Sequence, residues 1–232
     1  FKKFDNVSNQ LLQDIKILDP DLDVQKIKSN IILRCSIEEI CRDSILIQES
    51  VIEDLGIKKS VFKELDKLSS PNTILASSSS YLLISKISES LEHKHRCINA
   101  HPALPPHVVP FVEVGGSLDT STDIIEKALN IYKDANYAAI VVNKETEGFV
   151  LNRLQGALLN EAVRLHEGGY ASMDDIDIAL KHAVGIRWAF MGPFEIMDLN
   201  APDGIKDSFN RYKKGIQNLA KEQNSIPEYS DE

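Results

Sequence analysis

A change of rhythm at Asn143 constrains this chain more than any other feature. Before that point short apolar runs alternate with segments of helical period, and after it no strand-like run occurs. Ile31–Cys35, Ser44–Gln48, Ile74–Ala76, Cys97–Ala100, Phe111–Val114 and Ala138–Val142 read as strands. The opening segment to about Asp19–Pro20, then Ser36–Arg42, Glu53–Leu68, Tyr81–Leu91 and about Thr122–Asp134, read as helices. Strands joined through helices need crossover connections, so the sheet is expected to be mostly parallel and covered on its faces. Beyond Asn143 the pattern predicts only helices. A long one over Gly148–Glu167 is stopped by Gly168–Gly169, and Ser172 with Asp175 opens Met173–Ala183. Pro193 opens a short helix to about Leu199, and the last helix runs from near Pro202 to Lys221. The division expected is α/β over residues 1–143 and all-α over 144–232.

Ligands of such sheets bind outside the carboxyl ends of the strands, which draws attention to Glu49, the serine run after Ala76, and His101. His101 lies in INAHPALPPHVVPFVEV, whose four prolines exclude helix and central strand from the connection they stiffen. A rigid turn there would return the chain and set Glu113 beside His101, the simplest general-base pair near neutral pH. The plainer reading is a surface histidine beside an unrelated structural glutamate. Ser80 reads first as a helix N-cap, with a hydroxyl that could also reach a ligand. Asn152 in GFVLNRL reads first as a structurally satisfied amide. Arg187, in what reads as a loop, GIRWAFMGPFE, is a candidate for gripping a carboxylate or a phosphate against the alternative of a solvated arginine. His93 and His95 read as solvated, with no further ligands to make a metal site.

Net charge is −9, which argues against nucleic-acid and membrane-surface partners, and no apolar run approaches the roughly 18 residues of a membrane helix. Three cysteines without metal-ligand spacing point to reduced thiols and a cytoplasmic location. The first methionine is Met173 and no G-x-G occurs, so the expectation is a fragment whose pyrophosphate-cradling turn precedes Phe1 and which by itself binds a dinucleotide poorly.

Five stretches then combine: IQESVIEDLGIKK, AHPxxPP with PFVEV, EGFVLNRLQ, GIRWAFMGPFE, and NRYKKGI with IPEYS. Together, over about Cys35 to Ser230, they resemble the 3-hydroxyacyl-CoA dehydrogenase family, and GIRWAFMGP is similar to its lambda-crystallin branch. The resemblance implies a Rossmann-type NAD domain, here N-terminally truncated, followed by a helical domain that mediates homodimerisation. It places the family's active-site residues on Ser80, His101, Glu113 and Asn152, and positions near the NAD ribose and nicotinamide on Glu53 and Lys58 rather than Glu49. The branch implies oxidation of the 3-hydroxyl of a small sugar acid, L-gulonate, with Arg187 on its carboxylate. A 3-hydroxyacyl-CoA substrate and a non-catalytic, crystallin-like structural role are the alternatives. Leu104 departs from the family, which usually has asparagine there, so one polar group beside His101 is missing.

Overall fold

The computed structural model describes residues 2–227 and 229, so Glu228 and Ser230 of the IPEYS stretch lie outside the described residues. Two compact units divide at Asn152 and Arg153, a little beyond the change of rhythm at Asn143.

The first unit opens with three helices, α1 (Lys2–Leu18), α2 (Val24–Ser29) and α3 (Ile37–Cys41). Five strands and three helices follow: β1 (Leu46–Glu49), α4 (Leu55–Leu68), β2 (Ile74–Ser77), α5 (Ile84–Ile87), β3 (Cys97–Pro102), β4 (Phe111–Gly116), α6 (Thr122–Asp134) and β5 (Ala138–Val142). The strands form one sheet in the order β1-β2-β3-β4-β5. All neighbours are parallel except β3 and β4, the two that the proline-rich link joins. That link therefore reverses the chain, and it sets His101 directly opposite Glu113.

The period of two along each strand explains which side chains reach which face. Leu75 and Cys97 join Phe62 and Leu65 of α4 and Ile84 and Ile87 of α5 in one apolar cluster. Ile74, Ala76, Ile98, Ala100, Val112 and Val114 join Ile124 and Ala128 of α6 in the other. Asn99, His101 and Glu113 alternate with the second set and so belong to the α4–α5 side. Glu49 and Ser77 share that face with Ile47 and Leu75, so five buried polar side chains are carried to it.

Several sequence expectations need correction. Ile31–Cys35 forms no strand: it is irregular, with Ile32 exposed, because an extended segment becomes a strand only against a ladder partner, and none pairs with it among the described residues. The helix expected over Tyr81–Leu91 shrinks to Ile84–Ile87. Its intended first turn is held open by other side chains: Glu53 accepts from the N–H of Tyr81 and Leu82, and Asn99 accepts from Ile84 N at 2.7 Å while donating to Leu82 O at 3.1 Å. Ser80 is accordingly not a helix N-cap; Leu83 occupies that position without a side-chain cap bond. His93 is not a solvated ring, since Nδ1 meets Asp66 Oδ1 at 3.2 Å. Asp66 also binds the fully buried Arg96 at 2.7 Å, and this ion pair ties α4 to the start of β3.

Helix α7 (Leu151–Glu167) starts later than Gly148, because Gly148 and Phe149 take positive φ values of 74° and 47° and form a turn. The second unit continues with α8 (Met173–Ala179), a π-helical turn over Leu180–Gly185, α9 (Ile186–Trp188), α10 (Pro193–Leu199) and α11 (Gly204–Glu222). Ser172 caps α8 as its spacing predicts, accepting from Asp175 N at 3.1 Å. The stretch holding Arg187 and Trp188 is helical rather than a loop up to Trp188.

Candidate active site

The carboxyl ends of β1, β2 and β3 lie at one edge of the sheet, and the first half of antiparallel β4 meets them there. At that edge Ser80 Oγ and His101 Nε2 are 3.2 Å apart, and His101 Nδ1 and Glu113 Oε1 are 3.0 Å apart. Glu113 is fully buried and His101 nearly so. The second carboxylate oxygen of Glu113 accepts from Val150 N at 2.7 Å and Leu151 N at 2.8 Å. Those are free N–H groups at the start of α7, where backbone donors and the helix dipole favour a negative charge. An ionised carboxylate only accepts, so it assigns the proton of His101 to Nδ1 and leaves the Nε2 lone pair facing Ser80.

Spacing predicted the His101–Glu113 pair but not the face of the ring. Phe149, 1% exposed, stacks on the imidazole with centroids 5.6 Å apart and planes at 27°. Its signal in the sequence was slight: an aromatic residue after a glycine, three positions before Asn152. Asn152 is half-buried in the first turn of α7, and its side-chain amide makes no hydrogen bond among the described residues, so that amide is available. Leu104 is 81% exposed and brings no polar group to the site. Arg187 belongs to the second unit, is exposed, and donates from Nε to Ala183 O at 3.1 Å.

Beside this relay is a second polar cluster. Lys58 is 1% exposed, with Nζ at 2.9 and 3.2 Å from the two oxygens of Glu49, 3.2 Å from Val51 O and 3.5 Å from Glu53 Oε2. Glu49 also accepts from Ser77 Oγ at 2.7 Å and Val51 N at 2.6 Å. Its place at the end of a strand therefore serves to hold Lys58. Glu53 Oε1 accepts from Ser79 Oγ and from the N–H groups of Tyr81 and Leu82. Burial works to raise the Glu53 carboxyl, but the bonds from Ser79, Tyr81 and Leu82 and the charge of Lys58 outweigh it and hold the group below the usual carboxylate range. Glu53 is thus an anion whose side chain is 40% exposed, with one oxygen filled by the protein. Among the described residues no group of three or more His, Cys, Asp or Glu side chains comes together to hold a metal.

Comparison with known proteins gives this arrangement its family. The model of the 3-hydroxyacyl-CoA dehydrogenase NAD-binding domain matches residues 3–146, and that of the C-terminal domain matches 148–229. The chain is 38% identical over 222 residues to the human (Homo sapiens) lambda-crystallin homolog, covering 95% of this chain and 69% of that protein. It is 36% identical over 198 residues to the L-carnitine dehydrogenase of Oceanobacillus iheyensis, covering 85% of this chain and 64% of that protein. A solved structure of an NAD+-dependent dismutase, 5-formyl-3-hydroxy-2-methylpyridine 4-carboxylic acid 5-dehydrogenase, superposes with a TM-score of 0.74 at 27% identity, over 85% of this chain and 60% of that one. The chain spans 61% of the length of rabbit (Oryctolagus cuniculus) lambda-crystallin. With both halves matched in order, residues 3–146 by the one model and 148–229 by the other, the chain belongs to the 3-hydroxyacyl-CoA dehydrogenase family.

Proposed function

We propose that the complete protein is an NAD-dependent dehydrogenase that oxidises the C3 hydroxyl of a small 3-hydroxy acid, with His101 as general base. The observation that carries this reading is the relay Ser80–His101–Glu113, whose carboxylate end is buried and saturated with donors. His101 Nε2 takes the hydroxyl proton, and Glu113 stabilises the imidazolium and keeps the ring in one tautomer. The Ser80 hydroxyl and the Asn152 amide bind the substrate oxygen and so orient C3. NAD, when bound, supplies the acceptor for the hydride that leaves C3.

The residues present fit the ribose side of that cofactor. Glu53 offers a partly exposed, ionised acceptor suited to ribose hydroxyls, whereas the donors of Lys58 face Glu49, Val51 and Glu53. Lys58 therefore acts by holding Glu53. No G-x-G turn suited to a pyrophosphate occurs in these 232 residues.

For the substrate, the similarity of the Gly185–Glu195 element to the lambda-crystallin branch is what favours L-gulonate, with Arg187 on its carboxylate. The L-carnitine dehydrogenase relatives support the same class, since carnitine also carries its hydroxyl on C3 of a carboxylic acid. The helical unit supports a homodimer. None of the residues of α7, α8, α9 or α10 is buried, and Trp188, Phe190 and Phe194 are 48%, 69% and 70% exposed.

The test is NADH formation by the complete protein with L-gulonate, L-carnitine and 3-hydroxybutyryl-CoA in parallel. Turnover of L-gulonate that falls in Arg187→Ala through a raised KM is the expected result. Preference for the CoA ester would move the substrate to the acyl-CoA class. Absence of turnover with all three would leave the structural, crystallin-like role.

A further inference from the structure

We propose that Phe149 is the positioning residue for the His101 ring, acting through its phenyl face and through its backbone at once. The proposal rests on the reading of His101 as the base. Bonds from the two ring nitrogens, to Ser80 at 3.2 Å and Glu113 at 3.0 Å, fix the in-plane direction of the imidazole. Hydrogen bonds lying in the ring plane resist tilting out of that plane only weakly. A flat, buried ring packed against one face supplies that resistance, and Phe149 is such a ring, 1% exposed and inclined by 27° to the imidazole. Its electron-rich face also favours the imidazolium that proton uptake creates.

The backbone of the same residue serves the other end of the relay. Gly148 at φ 74° and Phe149 at φ 47° turn the chain after Thr146, whose carbonyl accepts from Phe149 N at 3.2 Å. The turn points the next two N–H groups, those of Val150 and Leu151, at Glu113 Oε2. A left-handed backbone is strained for a residue with a Cβ and unstrained for glycine. Glycine at 149 would keep the turn, so what phenylalanine adds there is the ring. One position thus orients the imidazole from its face and the carboxylate from behind.

Two variants separate the ring from the turn and from the core. Phe149→Gly removes the ring and keeps the backbone conformation. Phe149→Leu replaces the ring by an apolar group of similar bulk and serves if the glycine variant does not fold. Phe62→Leu, at a fully buried core position away from the relay, is the control for loss of packing alone. In the complete protein, the proton resonance of the His101 Nδ1–H bond to Glu113 reports how well the ring is aligned on the carboxylate, without any need for turnover. Both Phe149 variants are expected to keep the tautomer that Glu113 assigns but to weaken that bond, its proton resonance moving upfield and broadening, with kcat down about 10- to 100-fold and KM for the hydroxy acid little changed. Phe62→Leu is expected to lower the melting temperature and leave the His101 resonances in place. Resonances unaltered in both Phe149 variants, or moved equally by Phe62→Leu, would overturn the proposal. A moved resonance in a protein that turns over no hydroxy acid would sink the dehydrogenase reading and keep the positioning role; full turnover with an unmoved resonance would do the reverse.

Discussion

Glu113 accepts from His101 through one oxygen and from two backbone N–H groups through the other. Glutamine at this position sets an amide NH2 against a donor on one side or the other. Glu113→Gln is therefore expected to lower stability by about 1–3 kcal/mol, the usual result of a mismatched buried polar group, and to lower kcat as well. Urea unfolding and NADH formation measure the two effects separately. Asp66 gives a prediction in pH. Burial works to raise its carboxyl, but the Arg96 bond, the backbone donor of His93 and the nearby positive charges overcome this and hold it below the usual aspartate range. A depressed folded-state value means that the stabilisation is fully present above the unfolded pKa of about 3.9 and is lost as pH falls through the folded value. Asp66→Asn should flatten the acid limb of stability below about pH 4. At neutral pH, leaving Arg96 buried without its partner should cost about 3–5 kcal/mol. Denaturation midpoints taken down a pH series test both parts.

Elements were legible in the sequence where their own residues decide them. β5 and α6 take the bounds their patterns predict, because turn residues flank each and one face is regularly apolar. The proline link was legible for the same reason: proline excludes ladder and helix, and a reversal is what remains. Tyr81–Leu91 was not legible, since Asn99, from a later strand, and Glu53, from before α4, take up the N–H groups that a helix would have used. Asn99→Ala should accordingly release Ile84 N and Leu82 O from their buried partner and destabilise the unit by about 1–3 kcal/mol. Hydrogen exchange would show the loss around residues 82–84 first. Ile31–Cys35 fails from the opposite cause, having the right residue types without a ladder to join. Of the site, His101 and Glu113 could be paired by spacing alone. Ser80 and Asn152 needed the family resemblance, because a serine run and an amide in a helix have ordinary structural uses. Phe149 escaped both routes, since an aromatic beside a glycine carries no chemistry until its ring is seen against an imidazole.

At the scale of the molecule, an α/β unit contains the whole relay, nearly all of it within the residues that the NAD-binding domain model matches. The helical unit exposes apolar side chains along most of its helices, which a homodimer would cover. Sedimentation of the complete protein is expected to give twice the chain mass, and a monomer at micromolar concentration would exclude that assembly. His101 is the group through which the proposed chemistry passes, so the most direct test is its removal. In the complete protein His101→Ala should lower kcat about 10²- to 10⁴-fold, the usual worth of a general base, while NADH binding measured by fluorescence stays unchanged. Undiminished turnover in that variant would contradict the assignment of the base and with it the account of the site.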